Sequence, residues 1–239
     1  MSKTVVLYVF NIYNDRVQHF IDNAIFYDEN VDFIMISNDK NNVFEVPNYV
    51  TKIFRDNVGF DFGGWSHALL TNNLYENYKY FIFVNSSVVG PFLPSYFKHK
   101  WVDIYINGLQ NNIKLFGSTI NTMYNPLYAA HVQSYIFSMD KTTLLYLIEC
   151  EIFTINKFEA LLCDCVLRKE ILMSRKIIEK NWNIGSLMKY YENVDFTFKN
   201  KQPEEYNINF IDDTMHEMYR NIIWMDYELV FIKGNRDLN

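Results

Sequence analysis

The sequence has few cysteines, no surplus of positive charge, no long apolar run and no internal repeat, and each shortage removes a class of protein. Its three cysteines, Cys150, Cys163 and Cys165, are an odd set. Cys163-Asp164-Cys165 is spaced too tightly for the usual zinc pair and has no second pair downstream, so no zinc module is expected and a reducing compartment fits best. No stretch approaches the roughly 20 apolar residues that span a bilayer. The opening apolar run stops at Asn11, too short for the apolar core of a secretion signal with its cleavage site, so a cytoplasmic protein without a transmembrane segment is expected. Lys and Arg number 22 against 28 Asp and Glu, a net charge of -6. Gripping a phosphate backbone takes a basic face that neutralises many phosphates, so nucleic acid is not an expected partner. The five histidines are scattered without the H-E-x-x-H spacing of zinc peptidases. With no low-complexity tract or linker either, residues 1–239 read as a single domain.

What is present is a large, aromatic-rich core. Hydrophobic residues make up 49% of the 239 and aromatics 18%, while 21% charged residues keep the surface wettable. Short β-rich runs alternate with amphipathic ones, the pattern of crossover helices covering both faces of a mostly parallel sheet. Strands are expected at 4–12, 31–36, 50–54 and 80–84, with helices at 15–27 and 65–75 between them. Beyond Gly90-Pro91 the expectation is a helix at 101–111, strands at 114–117 and 132–139, a mostly helical stretch at 141–191 and a final strand at 227–232. Residues 200–209 are the best candidate for a mobile loop. The fold class is thus α/β, one mostly parallel central sheet with helices on both faces and polar loops at the strand carboxyl ends, where open sheets of this kind hold ligands.

Several polar groups fall at those ends. Gly59, Gly63 and Gly64 follow a short strand and precede a helix, so backbone lacking Cβ atoms could approach a ligand while helix-start amides face a phosphate. Asp61, in their midst, suits a ribose or sugar hydroxyl or a metal; equally, it could simply cap the helix. Asn85-Ser86-Ser87 ends the most apolar strand. Two carboxylates there would hold a divalent cation, but only amide and hydroxyl oxygens are available. His131, Gln133 and Ser134 open a later strand. Glu170 and Ser174 share a helix face, and an acid from this region could deprotonate an acceptor hydroxyl, although a solvated helix face explains each acid as well. Lys233 and Arg236 follow the last strand and could clamp a leaving diphosphate.

Taken in order, the segments Ser37-Asn38, Asn57-Val58-Gly59-Phe60-Asp61-Phe62-Gly63-Gly64-Trp65, Phe83-Val84-Asn85-Ser86-Ser87-Val88-Val89-Gly90-Pro91-Phe92-Leu93-Pro94, His131-Val132-Gln133-Ser134-Tyr135, Glu170-Ile171-Leu172-Met173-Ser174 and Glu228-Leu229-Val230-Phe231-Ile232-Lys233-Gly234-Asn235-Arg236 resemble the rhamnan synthesis F family and related glycosyltransferase-like proteins. The resemblance spans nearly the whole chain. It implies a nucleotide-diphospho-sugar transferase (GT-A-like) architecture, with residues 1–94 as the nucleotide-sugar half and 95–239 as the acceptor side. The implied activity is transfer, with inversion, from a UDP-, GDP- or dTDP-sugar to a glycan or polysaccharide acceptor. Asn38, Asn57, Gly59, Asp61, Asn85, Ser86 and Ser87 then belong to the donor site, with Lys233 and Arg236 on the diphosphate. His131, Gln133 and Ser134 face substrate, and Glu170 is the preferred base, with Asp61 also catalytic. A Mn or Mg ion is left open, with Asp61 its nearest acid. Trp224-Met225-Asp226 departs from the histidine and proline that relatives carry before the last strand. The missing carboxylate pair keeps a second possibility open, a catalytically silent nucleotide- or carbohydrate-binding module.

Overall fold

The computed structural model describes residues 3–122, 130–208, 210, 218–219, 222–223 and 226–234. Strand β1 (Thr4–Phe10) is a β-branched and aromatic run buried at every position. Helix α1 (Asp15–Ala24) follows, its first turn capped by the Asn14 side chain, which accepts from the amides of Arg16 and Val17. Then come β2 (Val31–Ser37), β3 (Thr51–Phe54), α2 (Phe60–Leu70), a 3₁₀ stretch (Thr71–Asn77) and β4 (Tyr80–Asn85). The second half contributes β5 (Val88–Val89), α3 (Trp101–Asn107), β6 (Ile113–Gly117), β7 (Ile120–Asn121), β8 (His131–Val132), β9 (Ile136–Asp140) and α4 (Lys141–Glu149). A long helical segment runs as α5 (Leu162–Cys165), a π-type stretch (Val166–Ile171) and α6 (Leu172–Glu179), and leads to β10 (Asn183–Ser186). The short pieces β11 (Met218–Tyr219), β12 (Ile222–Ile223), α7 (Asp226–Leu229) and β13 (Ile232–Lys233) follow.

Seven strands form one sheet in the order β10-β6-β9-β4-β1-β2-β3. The pairs β1/β2, β1/β4, β2/β3 and β6/β10 are parallel, and only β9 runs against its neighbours β4 and β6. The expected α/β class with a mostly parallel sheet is the observed one. Alternation along β1 feeds two cores: Val5, Leu7 and Val9 face the helices α2, α4 and α6, whereas Val6, Tyr8 and Phe10 face α1 and α3. From β1 the chain moves outward to β2 and β3, then returns to place β4 on the other side. That reversal opens a crevice outside the carboxyl ends of β1 and β4.

Four expectations are corrected. Helix α2 begins at Phe60 and not at 65, so Asp61, Gly63 and Gly64 lie in its first turns, where a Cβ on Gly64 would stand 2.6 Å from Val9 Cγ2. Two glycines are tolerated in a helix here because the close approach to β1 leaves no room for a side chain. The expected strand at 132–139 is broken in two, β8 pairing with β7 and β9 joining the main sheet. The stretch 141–191 is interrupted by β10, whose Gly185 lets Ile113 and Phe116 of β6 pack where a Cβ would be. At 227–232 the chain makes a turn of helix and then reverses at Val230, φ +63°, before the two residues of β13 pair with β5. At 200–209 Gln202 caps the short 3₁₀ turn Pro203–Tyr206.

Candidate functional site

Strand β4 delivers Asn85 to the crevice, and the chain turns there because the Ser87 amide donates to Asn85 Oδ1 at 2.9 Å. The Asn85 amide, Nδ2, is thereby aimed at Asp61 and donates to its Oδ2 at 2.9 Å. Asp61 is held in place from beneath its helix. Gly59 takes the left-handed conformation, φ +75°, to start α2. The buried Arg55 donates to Val58 O at 2.6 Å and to Asn38 Oδ1 at 2.5 Å, while Asn38 Nδ2 donates to Phe60 O at 3.1 Å. A guanidinium thus pins the turn that presents Asp61.

The opposite wall comes from the second half. Ser134, between β8 and β9, donates to Glu170 Oε2 at 2.5 Å, and His131 Nε2 lies 3.4 Å from Glu170 Oε1. Ser174, one turn beyond Glu170, accepts from the Val132 amide at 3.0 Å and ties the helix to β8. Lys233 arrives on β13, which is clipped to the turn after β4 by the Gly234 amide donating to Ser87 O at 2.6 Å. Arg16, in the first turn of α1, donates to Ser86 O at 2.9 Å on the other side of that turn. Between these walls lies a cleft of about 210 Å³, lined by Asp61, Asn85, Ser87, Gln133, Ser134, Glu170 and Lys233 together with apolar groups from α2 and α5.

The two acids of the cleft are shifted in opposite directions. Burial pushes the Asp61 carboxyl up to about 6; the negative Glu170 adds to the rise, and the Asn85 hydrogen bond and Lys233 only partly oppose it. Burial would also raise Glu170, but hydrogen bonds from His131 and Ser134, with the charges of His131 and Lys233, outweigh it and hold this carboxyl below its ordinary value. Cys165, also on the cleft wall, is pushed up to about 12 by burial and the nearby Asp61 and so remains a thiol. At neutral pH the cleft presents a firmly ionised Glu170 and an Asp61 able to take or give a proton.

Seven of the residues singled out from sequence therefore meet: Asp61, Asn85, Ser87, Gln133, Ser134, Glu170 and Lys233. His131 stands behind Glu170, 4% exposed. Four do not line the cleft. Asn38 is buried against Arg55, Asn57 is exposed, Gly59 faces a small recess beside Phe158, and Ser86 is turned so that its carbonyl meets Arg16. Arg236 and the Trp224-Met225 departure lie outside the described residues. Leu162, Val166 and Tyr135 were missed from sequence, the first two because a leucine and a valine in a helical run read as core.

Among the described residues no three His, Cys, Asp or Glu side chains gather as a metal site. At the strand end Asn85 accepts from the Ser87 amide and donates to Asp61 Oδ2, so the pair brings one carboxylate where two would hold a cation most firmly. A Mg²⁺ or Mn²⁺ ion at this strand end would have Asp61 as its one carboxylate, which suits a cation that keeps several waters and takes its remaining oxygens from substrate phosphates. No helix among the described residues is long and apolar enough to cross a membrane.

No protein-family model matches the chain, and no curated protein matches it. Among solved structures, a cytidylyltransferase from Leptospira borgpetersenii serovar Hardjo-bovis (strain JB197) is similar over 84% of this chain and 80% of its own, with 13% identity and a TM-score of 0.41.

Proposed function

We propose that this protein is a glycosyltransferase of nucleotide-diphospho-sugar transferase architecture that moves a sugar, with inversion, from a nucleotide-sugar donor to a hydroxyl of a glycan acceptor. One observation carries the reading: at the switch point of the sheet a proton-exchanging carboxyl, Asp61, shares a cleft with Lys233 and with the Ser134–Glu170–His131 group. Residues 1–94 supply Asp61, Asn85 and Ser87 to the donor side, joined there by Lys233 on β13, and the rest of 95–239 supplies the acceptor wall.

In this mechanism the acceptor oxygen attacks the anomeric carbon as the bond from that carbon to the diphosphate oxygen breaks. The electron pair leaves with the diphosphate, whose growing charge is met by the Lys233 ammonium. The acceptor proton passes to a carboxylate. Of the two acids Asp61 is the better matched base, because its pKa of about 6 is close to neutral pH whereas both Glu170 oxygens are already engaged. Glu170 then acts as a positioning residue that fixes Ser134 toward the acceptor. Asn85 and Ser87 bind sugar or phosphate oxygens.

The test is a panel of UDP-, GDP- and dTDP-sugars, read by thermal stability and by release of nucleoside diphosphate. At least one donor is expected to raise the melting temperature, since a ligand that binds only the native state must stabilise it; no shift with any donor overturns the reading. The amide and hydroxyls of Asn85-Ser86-Ser87, where a carboxylate pair would stand, favour one second reading, a silent binding module. A donor that stabilises the protein but is neither hydrolysed nor transferred would select it.

A further inference from the structure

The helical segment that presents Glu170 also presents hydrocarbon to solvent. Leu161 is 59% exposed, Leu162 62%, Val166 37% and Leu167 59%. Single exposed leucines need no explanation, but here two adjacent pairs, one at the start of the helical segment and one a turn further on, are exposed together, and clustered apolar exposure marks interaction sites. Two of them, Leu162 and Val166, belong to the lining of the cleft itself, on the same segment as Glu170.

The backbone explains the alignment. Leu162, Val166 and Glu170 are spaced by four, which in a continuous α-helix carries each residue progressively round the axis. The π-type stretch Val166–Ile171 has a wider, i→i+5 turn and rotates Glu170 back into line. One face of one segment therefore runs from aliphatic side chains, open to solvent, to an ionised carboxylate bound to Ser134 inside the cleft. The polar end of the cleft, Asp61, Asn85, Ser87 and Lys233, is matched to sugar and diphosphate oxygens. Leu162 and Val166 offer no hydrogen-bonding group to the hydroxyls of a sugar or the oxygens of a diphosphate.

Building on the glycosyltransferase reading, we propose that Leu162 and Val166 form an apolar acceptor subsite, and that the acceptor is an amphiphile whose hydroxyl-bearing head enters the cleft while its hydrocarbon chain lies along this patch. The chain gains by leaving water, and it holds the head beside Ser134 and Asp61.

The experiment uses the full chain with methyl and octyl β-glucosides and β-galactosides below micelle-forming concentration, followed by saturation-transfer NMR and titration. The octyl compounds are expected to bind at least about tenfold more tightly than the methyl ones, the effect of burying roughly two methylenes, with saturation reaching the alkyl protons. Leu162→Ser with Val166→Ser should shrink that ratio to less than about threefold. Val43→Ser, an exposed position outside the cleft, should leave it unchanged. Because the patch recognises hydrocarbon and not a particular sugar, failure of octyl glucoside to bind overturns the proposal. So does an octyl preference that survives the double substitution, a loss of donor-induced stabilisation in that variant, which would assign the patch to the donor, or a change in its oligomeric state, which would assign it to a second copy. The donor panel is read separately: octyl binding with no donor shift refutes glycosyl transfer while leaving an amphiphile site, and a donor shift with no octyl preference does the reverse.

Discussion

Asp61 and Glu170 respond to folding with opposite signs, and this separates their roles experimentally. Folding raises the Asp61 pKa from 3.8 to about 6, so between those values the folded chain binds more protons than the unfolded one and stability falls as pH rises. The penalty is complete above about pH 6. Asp61→Asn removes it while retaining an acceptor oxygen for Asn85. Urea unfolding should therefore show the variant more stable than the parent at pH 7, by about 1–3 kcal/mol, with the difference gone near pH 4. The same substitution should lower turnover about 10²- to 10⁴-fold, and parental activity should climb through about pH 6 as Asp61 ionises; a flat profile across pH 5–7 would remove Asp61 as the base. Glu170 is the reverse case. Its pKa is lowered on folding, so its contribution is complete above the ordinary carboxyl range and is lost as pH falls through the folded value. Glu170→Gln should cost about 1–3 kcal/mol at pH 7, the worth of hydrogen bonds to a charged group, and the cost should fade on acidification. At this scale Asp61 was legible as the acid of a glycine-bearing break between strand and helix, whereas Glu170 stood out from the other acids of its helical stretch only through the family resemblance. Their partners were not: Ser134 and Glu170 meet across 36 residues of chain. Asn38 was misplaced because a polar residue at a strand end reads as ligand-facing, and nothing local announces that Arg55 folds beneath it.

Among the elements, α2 is the one whose sequence contradicts its conformation, with Gly63 and Gly64 where helix formers would be preferred. Packing resolves the contradiction. A Cβ on Gly64 would meet Val9 Cγ2 at 2.6 Å and Asn38 Oδ1 at 3.2 Å, and the helix can present Asp61 to Asn85 only while it lies this close to β1. Gly64→Ala should raise intrinsic helix propensity yet destabilise the protein by about 1–3 kcal/mol, the usual cost of overpacking. Chemical denaturation measures this directly; a neutral or stabilising result would mean that the helix can withdraw from the sheet without loss. The contrast with β1 shows what pattern reading can reach. Seven consecutive buried residues flanked by a polar turn announce a central parallel strand. The four residues Asn183-Ile184-Gly185-Ser186 announce nothing, since β10 owes its place to the edge of β6 and to a glycine that receives Ile113 and Phe116. The π-type stretch is equally silent, because Val166-Leu167-Arg168-Lys169-Glu170-Ile171 is a sequence an α-helix accepts as readily.

At the scale of the molecule, residues 1–94 and 95–239 share a core. Residues 80–84 of β4 pair in antiparallel register with 136–140 of β9, joining the first half of the chain to the second through the middle of the sheet. Across the same seam Phe83 stacks on Phe137 with ring centroids 4.7 Å apart and on Phe153 at 5.1 Å, while Trp65 meets Phe137 edge-on at 5.4 Å. Cutting the chain at residue 94 would bare the β4 edge and the aromatic rings of Phe83 and Trp65 together, leaving the four strands β1 to β4 with an unpaired, apolar border. With the two halves joined in this way, we expect one cooperative unfolding unit. Tryptophan fluorescence, reporting Trp65 and Trp101 in the two cores on either side of the sheet, should change over the same urea range as far-UV circular dichroism, and the fragment 1–94 should show no protected amides. Two resolved transitions, or a folded fragment, would show that the seam between β4 and β9 is an interface between independent domains. The cleft geometry would then vary with domain opening, because Asp61 and Asn85, with Lys233 tied to their side through the β13/β5 pair, face Ser134 and Glu170 across that seam.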